Sequence, residues 1–494
     1  MTATPAPSSQ SFRLADGVVL GFAAELLLLP TGLITAAVLT RVLGPADYGT
    51  FSLAATVAGW IAWTTTSLFA RAAVKVVGEG SEGQDWRPAA ASVLRWRLFL
   101  GVASAVLMFG LAGPLARALQ SAALVPYLRV FAADMLLFNL ARAHREVLTG
   151  RGRFRAVAVV SVVRWTARMI LIVVLVQATR SVMSAVVGSV GATLAELLVA
   201  RRYQPLSLRE PGRIAPAALW SVAAPLIVYG AVMQLFGKID LLALSALGGS
   251  AADAGIYGAA QNLAVPPGLF TLALGPLLLA TLARMHRSGR DDEARRVARD
   301  ALRVTFALVP FAALVAATGP ELVQVVFGPS FAAAGPLLGF LFAAAAAIST
   351  MTVSVAIVTA ADHQRVVSWL GVGVLSGAVI GHVVLIPRLG AVGAALVTSV
   401  AATAGALASV VLVHRMWGVH AYGTLSRAAI IAAPAYLAAH AVATPHAPAL
   451  AVKLILTSCA VIAAFVMMGE LDANERRRWL ARPRFLRPAR ASAE

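Results

Sequence analysis

Charged residues are scarce in this 494-residue chain: only 13% are Asp, Glu, Lys or Arg, whereas 59% are hydrophobic. Soluble domains carry about a quarter charged residues and about half apolar ones, so this composition excludes an ordinary soluble globule. A single cysteine, Cys459, excludes an intrachain disulfide. The sequence also lacks the P-loop pattern G-x-x-x-x-G-K-[ST], because Gly237-Lys238 is followed by Ile239. We therefore do not expect this chain to use ATP itself.

Apolar runs of about 20 residues recur along the chain, and each is long enough to cross a hydrocarbon core of about 30 Å as a helix. The runs lack period-2 alternation, which excludes membrane-spanning strands. The sequence therefore predicts an all-α integral membrane protein with fourteen transmembrane helices. The predicted spans are approximately 18–40, 48–70, 98–116, 122–142, 156–177, 182–200, 217–242, 257–282, 304–319, 335–359, 366–386, 390–413, 428–443 and 449–468.

The distribution of basic residues predicts the orientation of these spans. With both termini in the cytoplasm, 32 of the 41 Lys and Arg residues fall in inner segments, four fall in outer loops and five lie within spans. The positive-inside rule favours this orientation. The net charge of +19 is spread over short loops, so it does not indicate a nucleic-acid-binding face.

The chain resembles itself at a nearly constant offset. Tyr48-Gly49 in "LGPADYGTFSLA" corresponds to Tyr257-Gly258 in "LGGSAADAGIYGAAQNLA", a shift of 209 residues, and two further pairs of segments match at a shift of 210. Each repeat holds six spans, so both start on the same side of the membrane, an arrangement typical of transporters. We predict two parallel six-helix lobes, 1–210 and 211–427, two additional helices, 428–468, and a basic cytoplasmic tail, 469–494.

Several motifs resemble those of a known family. The turn "RVLGPADYG" from Arg41 has the form R-x-L-G-x-x-x-Y-G, and the later motifs are "GRGRF", "KIDLLAL", "FGPSFAAAGPLL" and "IPRLGAVGAAL". Over roughly residues 15 to 468 the chain resembles the polysaccharide-type lipid-linked oligosaccharide flippases of the multidrug/oligosaccharidyl-lipid/polysaccharide (MOP) exporter superfamily.

This resemblance implies a transporter in the bacterial cytoplasmic membrane, not an enzyme. It implies a V-shaped pair of lobes that moves an undecaprenyl-pyrophosphate-linked oligosaccharide, the repeat unit of a surface polysaccharide, from the inner to the outer leaflet by alternating access. The implied partners are this lipid-linked glycan, membrane lipids and polysaccharide assembly proteins, and no nucleic acid. The alternatives are a drug/cation antiporter of the same superfamily, a lipid II flippase, a membrane-embedded glycan polymerase or ligase, and a scaffold that does not transport.

A pyrophosphate cargo needs fixed cations in the cavity, and Arg164 and Arg168 are the first candidates. They are four residues apart, hence on one face of the fifth span. Two arginines facing lipid would cost roughly 2.5–3.5 kcal/mol each, so they must face water or anions. The competing interpretation is a structural ion pair with Glu196 or Glu25.

Other polar residues within the spans are weaker candidates for the cavity. Glu25 is a candidate for H⁺ or Na⁺ coupling, or an internal partner of the arginines. Lys238 and Asp240 lie two residues apart near the outer end of the seventh span, where a local pair or a position at the membrane interface is also conceivable. Arg129 lies in the fourth span. No other cofactor and no metal site is predicted.

Three further residues near the predicted outer surface complete the set of candidate cavity residues. Gln261 and Asn262 could donate hydrogen bonds to sugar hydroxyls, although bonds between helices are the ordinary role of such amides. Arg41 could face the mouth of the cavity or extend to the membrane interface.

Overall fold

The part of the chain that the structure describes is almost entirely helical. The structure, a computed structural model, describes residues 20–21, 23–81, 86–210, 232–361, 363–444 and 446–470, and these contain no β-strand. The helices are, in chain order, α1 Leu28–Ser81, α2 Arg87–Ala118, α3 Leu124–Gly150, α4 Phe154–Thr179, α5 Val182–Tyr203, α6 232–246, α7 Ala251–Leu263, α8 Pro266–Arg287, α9 Asp291–Phe306, α10 Leu308–Phe327, α11 Ala334–Thr359, α12 Gln364–Trp417, α13 Tyr422–Ala441 and α14 Ala447–Met467. The predicted start of the seventh span, 217–231, and the tail from 471 onward lie outside the described residues.

Two helices, α1 and α12, contain 54 residues each, which is about 80 Å at 1.5 Å per residue. Each is interrupted at a glycine with positive φ, Gly44 (φ 76°) in α1 and Gly390 (φ 55°) in α12. A side chain with a Cβ atom disfavours this backbone conformation, whereas glycine adopts it readily. Each long helix therefore consists of two segments. The bend at Gly44 falls in the predicted connection between the first two spans, and the bend at Gly390 falls at the first residue of the predicted span 390–413.

Nine helices in the described part of the chain are long and apolar enough to cross a membrane. Two of them, Ala23–Thr66 and Arg365–Trp417, contain 44 and 53 residues, at least twice the about 20 that one crossing requires. Because both contain a glycine bend, nine helices correspond to more than nine crossings. A helical multi-pass membrane protein is confirmed, whereas the count of fourteen, the parallel repeats and the domain boundaries stay predictions.

The helix α3 extends beyond its predicted span of 122–142 and ends only at Gly150. Glu146 consequently lies inside the bundle, where it pairs with the fully buried Arg97 of α2. The Arg97 Nη1 atom also donates a hydrogen bond of 3.0 Å to the Thr65 carbonyl oxygen. In the sequence, Arg97 and Glu146 look like residues of a charged segment at the inner surface. In the fold they pair with each other between α2 and α3.

The two predicted lobes touch at the end of the bundle that is predicted to face outward, here called the outer end. There α1 and α7 cross with their backbones in contact. A Cβ atom at Gly49 would lie 1.8 Å from the Ala251 carbonyl oxygen, and one at Gly255 would lie 2.0 Å from the Pro45 carbonyl oxygen. Glycine is therefore the residue that permits this approach.

Hydrogen bonds join the lobes at the same end. Arg41 donates to the carbonyl oxygens of Val325 (2.6 Å) and Val326 (3.2 Å), near the C-terminal end of α10. The Gln120 Nε2 atom donates to the Ala246 carbonyl oxygen at 2.9 Å. The outer end is therefore closed in this conformation.

The helices α13 and α14 are attached to the C-terminal lobe at both ends of the bundle. At the outer end, Lys453 Nζ of α14 lies 2.7 Å from a carboxylate oxygen of Glu321 in α10. At the opposite end, Glu470 accepts hydrogen bonds from Arg303 Nε (2.7 Å) and Arg427 Nη1 (2.6 Å). Two carboxylates thus connect this helix pair to the rest of the lobe.

Candidate functional site

A cavity of about 320 Å³ lies between the two lobes. Its wall is formed by α1 and α4 on one side and by α6 and α7 on the other. The polar lining residues include Tyr48, Arg168, Gln234, Lys238, Gln261 and Asn262. No Asp or Glu is among the described residues that line this cavity, so the fixed charge of its wall is positive.

A second cavity of about 150 Å³ lies within the N-terminal lobe and is lined in part by Asp134, Arg164 and Arg168. Arg168 also lines the cavity between the lobes, so this guanidinium borders both spaces. Among the described residues no carboxylate oxygen lies within 4.0 Å of it, and Asp134 is the acid among the described residues that line the second cavity. Arg168 is therefore a cation without an ion-pair partner beside two cavities.

Arg164, one turn before Arg168, lies in a different environment. Its Nη1 atom lies 2.7 Å from a carboxylate oxygen of Glu196, which is fully buried on α5. Arg145 approaches the other oxygen of Glu196 at 3.8 Å. The predicted shared face of Arg164 and Arg168 therefore carries one paired and one unpaired arginine.

Glu25 accepts hydrogen bonds from Arg145, from Ser161 Oγ (2.9 Å) and from Trp165 Nε1 (3.1 Å). Its internal partner is thus Arg145 of α3 rather than Arg164 or Arg168. Because Arg145 also contacts Glu196, one network of alternating charges connects the segment just before α1 to α3, α4 and α5.

Lys238 and Asp240 do not pair with each other, although they are two residues apart. Lys238 lines the cavity between the lobes and has no ion-pair partner in the described part of the chain. Asp240 is buried and accepts hydrogen bonds from Tyr257 Oη (2.8 Å) and Gln261 Nε2 (2.9 Å). Lys238 is thus exposed to the cavity, and Asp240 anchors α7 to α6.

The two amides predicted to face the cavity do line it, and both also bond to other helices. Gln261 donates to Asp240, and Asn262 Nδ2 donates to Tyr48 Oη at 2.8 Å across the lobes. Arg129 lines neither cavity: it is exposed, and its guanidinium lies 5.2 Å from the centre of the Phe109 ring.

Sequence reasoning missed Arg145, which contacts both acids of the charge network, Glu25 and Glu196, and gave no role to Asp134. One signal was available, because Arg142, Arg145 and Glu146 continue the helical pattern of α3 past its predicted end. Their partners, however, belong to other helices, and Glu25 is 120 residues away from Arg145.

The chain matches a family model described as "Polysaccharide biosynthesis protein" over residues 38–336, more than half of its length. The chain belongs to this family. No curated protein matches it. The resemblance inferred from the motifs is therefore confirmed at the level of the family.

Solved structures show which fold the family member adopts. A structure of the lipid II flippase MurJ in an inward closed conformation matches with 12% identity and a TM-score of 0.68, covering 95% of this chain and 99% of that one. An inward-facing multidrug resistance MATE family transporter of the MOP superfamily matches with 13% identity and a TM-score of 0.67, covering 84% and 98%. An outward-facing MATE family transporter gives a TM-score of only 0.52, with 15% identity, covering 85% and 95%. The fold is that of the MOP superfamily, and the closed outer end agrees with the higher similarity to the inward conformations.

Proposed function

We propose that this protein is a flippase that moves a polyprenyl-pyrophosphate-linked oligosaccharide, the repeat unit of a surface polysaccharide, from the inner to the outer leaflet. The observation that carries this proposal is the cavity between the lobes, whose wall holds the unpaired cations Arg168 and Lys238 and no acid among its described residues. Membership of a polysaccharide biosynthesis family supports the glycan as cargo.

The chemistry of the cavity fits an anionic lipid head. Guanidinium and ammonium groups in a site with little water form strong charge-assisted hydrogen bonds to phosphate oxygens. Arg168 and Lys238 line the same cavity from different lobes, so each lobe offers a cation to a pyrophosphate bound there. Gln261 and Asn262 lie on the same wall and offer amide groups for the first sugars.

Transport in this proposal proceeds by alternating access, with the closed outer end opening as the lobes separate. The contacts that hold this end are non-covalent: the glycine crossing of α1 and α7 and the hydrogen bonds of Arg41 and Gln120. The proposal places the protein in the bacterial cytoplasmic membrane with both termini in the cytoplasm, together with polysaccharide assembly proteins. It includes no catalytic step.

A cation-exporting antiporter is a weaker explanation, because a drug cation would meet two fixed positive charges in the cavity. An ion-coupling role for Glu25 would compete with its bonds to Arg145, Ser161 and Trp165. We therefore propose the Arg145–Glu25 and Arg164–Glu196 pairs as structural and Arg168 and Lys238 as the cargo-binding cations.

The test uses purified protein in proteoliposomes and a short-chain polyprenyl pyrophosphate that carries a fluorescent sugar. Translocation is followed by quenching of the outer leaflet. Arg168→Ala is expected to reduce the rate at least about tenfold, because loss of a charge-assisted bond of 1.5–3 kcal/mol corresponds to about that factor. Arg168→Lys should restore part of it.

Arg129→Ala is the matched control, since Arg129 is an arginine of the same lobe that lines neither cavity. It should transport at the parent rate. Normal transport by the double variant Arg168→Ala/Lys238→Ala, at equal protein levels, would refute the proposal. Faster uptake of a cationic dye by that variant would favour the antiporter instead.

A further inference from the structure

The closed outer end holds a cation that lies outside both cavities. Arg41 is exposed, three residues before the bend at Gly44, and no carboxylate oxygen of the described residues lies within 4.0 Å of it. Its hydrogen bonds go to neutral acceptors, the backbone carbonyl oxygens of Val325 at 2.6 Å and Val326 at 3.2 Å. Arg41 is therefore a cation without an ion-pair partner in the described part of the chain, and it joins the two lobes.

The two acceptors belong to the last turn of α10, which ends at Phe327. The last four carbonyl groups of a helix have no partner within the helix and form the negative end of its dipole, so a guanidinium is a favourable cap there. Their charge is only partial, however. An anion with full charges forms shorter and stronger bonds to a guanidinium than a neutral oxygen does. An anion that reaches Arg41 should therefore compete successfully with α10.

The guanidinium group of Arg41 has unused donors for such an anion. It carries five N–H donors, and two of them are used, Nε toward Val326 and Nη2 toward Val325. The remaining donors belong to an exposed side chain. A phosphate group can thus bind Arg41 before the bonds to α10 break, so the exchange of partners does not pass through an unpaired guanidinium.

Arg41 is also close to the cargo cavity in the chain. Leu39, two residues before it, and Tyr48, just after the bend, both line the cavity between the lobes. The ring of Tyr48 meets that of Phe331, just beyond the end of α10, edge-on with 5.8 Å between the ring centres, and both residues are buried. Separation of α10 from α1 would part this pair of rings and open the cavity toward the outer end.

We propose that Arg41 is an exit subsite for the diphosphate of the cargo, where phosphate oxygens take the guanidinium from the carbonyl oxygens of Val325 and Val326. Binding of the anion then releases α10 from α1 and favours the open outer end. Anion binding and opening are two sides of one equilibrium, so each favours the other. The inference rests on the proposed function for the source of the diphosphate. It goes beyond that function because it makes the cargo itself the signal that opens the outer end.

The test measures a distance across the outer end of the full chain in nanodiscs of phosphatidylcholine. Spin labels are attached at Ala122→Cys and Ala332→Cys, exposed positions on the two lobes, in a Cys459→Ser background. Pulsed electron paramagnetic resonance records the distances without added anion, with inorganic pyrophosphate, and with sodium chloride at the same ionic strength.

We expect pyrophosphate to raise the ratio of the longer to the shorter distance about tenfold, which corresponds to about 1.4 kcal/mol. Sodium chloride should leave the ratio unchanged. An equal response to both salts would reduce the effect to screening and overturn the proposal. No response to pyrophosphate in the parent would overturn it as well, and would leave the flippase proposal intact.

Arg41→Ala should populate the longer distance without any anion, because its bonds to α10 are lost, and pyrophosphate should add nothing further. Arg41→Gln carries the same expectation if Arg41→Ala does not fold, and Arg41→Lys, which keeps the charge, should still respond. A closed outer end in Arg41→Ala, or a pyrophosphate response as large as that of the parent, would overturn the proposal.

Gln120→Ala is the matched control. Gln120 also donates from the N-terminal lobe to a carbonyl oxygen of the other lobe, that of Ala246, but through a neutral amide. The variant should therefore respond to pyrophosphate like the parent. Loss of the response in Gln120→Ala would mean that any weakening of the outer contact abolishes it, which would overturn the specific role of Arg41.

Two further arms identify the source of the phosphate oxygens. A short-chain polyprenyl pyrophosphate should open the outer end as inorganic pyrophosphate does. Opening by added phosphatidylglycerol alone would assign Arg41 to lipid headgroups and overturn the proposal.

The double variant Arg168→Ala/Lys238→Ala separates this inference from the flippase proposal. It should still open with inorganic pyrophosphate, because its Arg41 is intact. Loss of this response would place the effective anion in the cavity between the lobes and overturn the exit subsite. Normal transport by the same variant would refute the flippase proposal without changing the measured response of Arg41.

Discussion

Arg164 and Arg168 have the same side chain on the same face of α4, but their surroundings differ. Arg164 compensates the fully buried Glu196, whereas Arg168 has no ion-pair partner among the described residues and lines both cavities. Sequence spacing predicts that two arginines share a face, but it cannot assign an acid from another helix to one of them. The distinction between a structural and a cargo-binding arginine therefore depends on the fold.

Arg164→Ala should destabilise the protein by about 3 kcal/mol. Breaking a buried ion pair by removing one partner costs about 3–5 kcal/mol, and Arg145, at 3.8 Å from Glu196, would compensate part of that. Arg168→Ala should change the free energy of unfolding by less than about 1 kcal/mol, because no ion pair is broken. Thermal unfolding of detergent-solubilised variants measures both. Equal destabilisation by the two substitutions would contradict this assignment.

Glu470, just beyond the end of α14, predicts a pH dependence of stability. Burial raises the pKa of its carboxyl, but hydrogen bonds from Thr424, Arg427 and Arg303 outweigh it and lower the pKa below the ordinary 4.5. A folded-state pKa below the unfolded one means that the stabilisation is present above about pH 4.5 and is lost as the pH falls through the folded value.

Between about pH 6 and pH 3, the unfolding midpoint of the parent should therefore fall more than that of Glu470→Gln. The variant keeps the shape of the side chain but cannot ionise. Glu293→Gln, at an exposed position on α9, is the control and should follow the parent curve. Parallel curves for the parent and Glu470→Gln would show that this carboxylate does not stabilise the attachment of α13 and α14.

At the scale of elements, the crossing of α1 and α7 is a contact that leaves no room for an added side chain. Gly49→Ala would place a methyl carbon 1.8 Å from the Ala251 carbonyl oxygen if nothing moved. Overpacking of this kind costs about 1–3 kcal/mol, which would shift the equilibrium toward an open outer end by about 5–150-fold. The shift is measured by pulsed electron paramagnetic resonance between spin labels at Ala122→Cys and Ala332→Cys, exposed positions on the two lobes, in a Cys459→Ser background.

Gly110→Ala is the control for this substitution, since a Cβ atom there has no heavy atom within 4 Å. It should leave the distance distribution unchanged and stabilise α2 slightly, because alanine is the better helix former. A closed outer end in Gly49→Ala would mean that the helices adjust without separating, and that the crossing is not a determinant of the closed state.

The elements were largely predictable and their ends were not. Apolar runs of about 20 residues identify the helices because a bilayer leaves few alternatives for the backbone, and the predicted turn at "RVLGPADYG" coincides with the bend at Gly44. The end of α3 was misplaced because Arg145 and Glu146 have the composition of a surface loop. Only their partners, Glu25 and Arg97, reveal that they are inside the bundle.

The candidate site was predictable in part for the same reason. The residues Arg168, Lys238, Gln261 and Asn262 line one cavity because four helices from both lobes converge there, and a polar residue inside a span is already a functional candidate. The role of Asp240 was not predictable, since it depends on Tyr257 and Thr398 of two other helices. Pairing across the chain is information that local sequence does not contain.

At the scale of the whole molecule, the unpaired charges determine how a membrane potential acts on transport. Arg168 and Lys238 contribute two positive charges to the cavity, which match a pyrophosphate that carries two negative ones. In a loaded cavity these charges cancel, so the potential acts mainly when the cavity is empty. An inside-negative potential then favours return of the empty, positively charged cavity to the inner side.

Each complete cycle exports two negative charges, which an inside-negative potential of 100 mV favours by about 4.6 kcal/mol if they cross the whole field, at about 2.3 kcal/mol per charge. Proteoliposomes with an imposed potassium diffusion potential should therefore transport the polyprenyl pyrophosphate faster when the interior is negative, for protein oriented as in the cell, and slower when the sign is reversed. Lys238→Gln leaves the total of two exported charges unchanged, but it should divide the voltage dependence between the two steps, because the empty cavity then carries one positive charge and the loaded cavity one negative charge. A rate that ignores the potential but follows a proton gradient would assign the driving force to ion coupling instead.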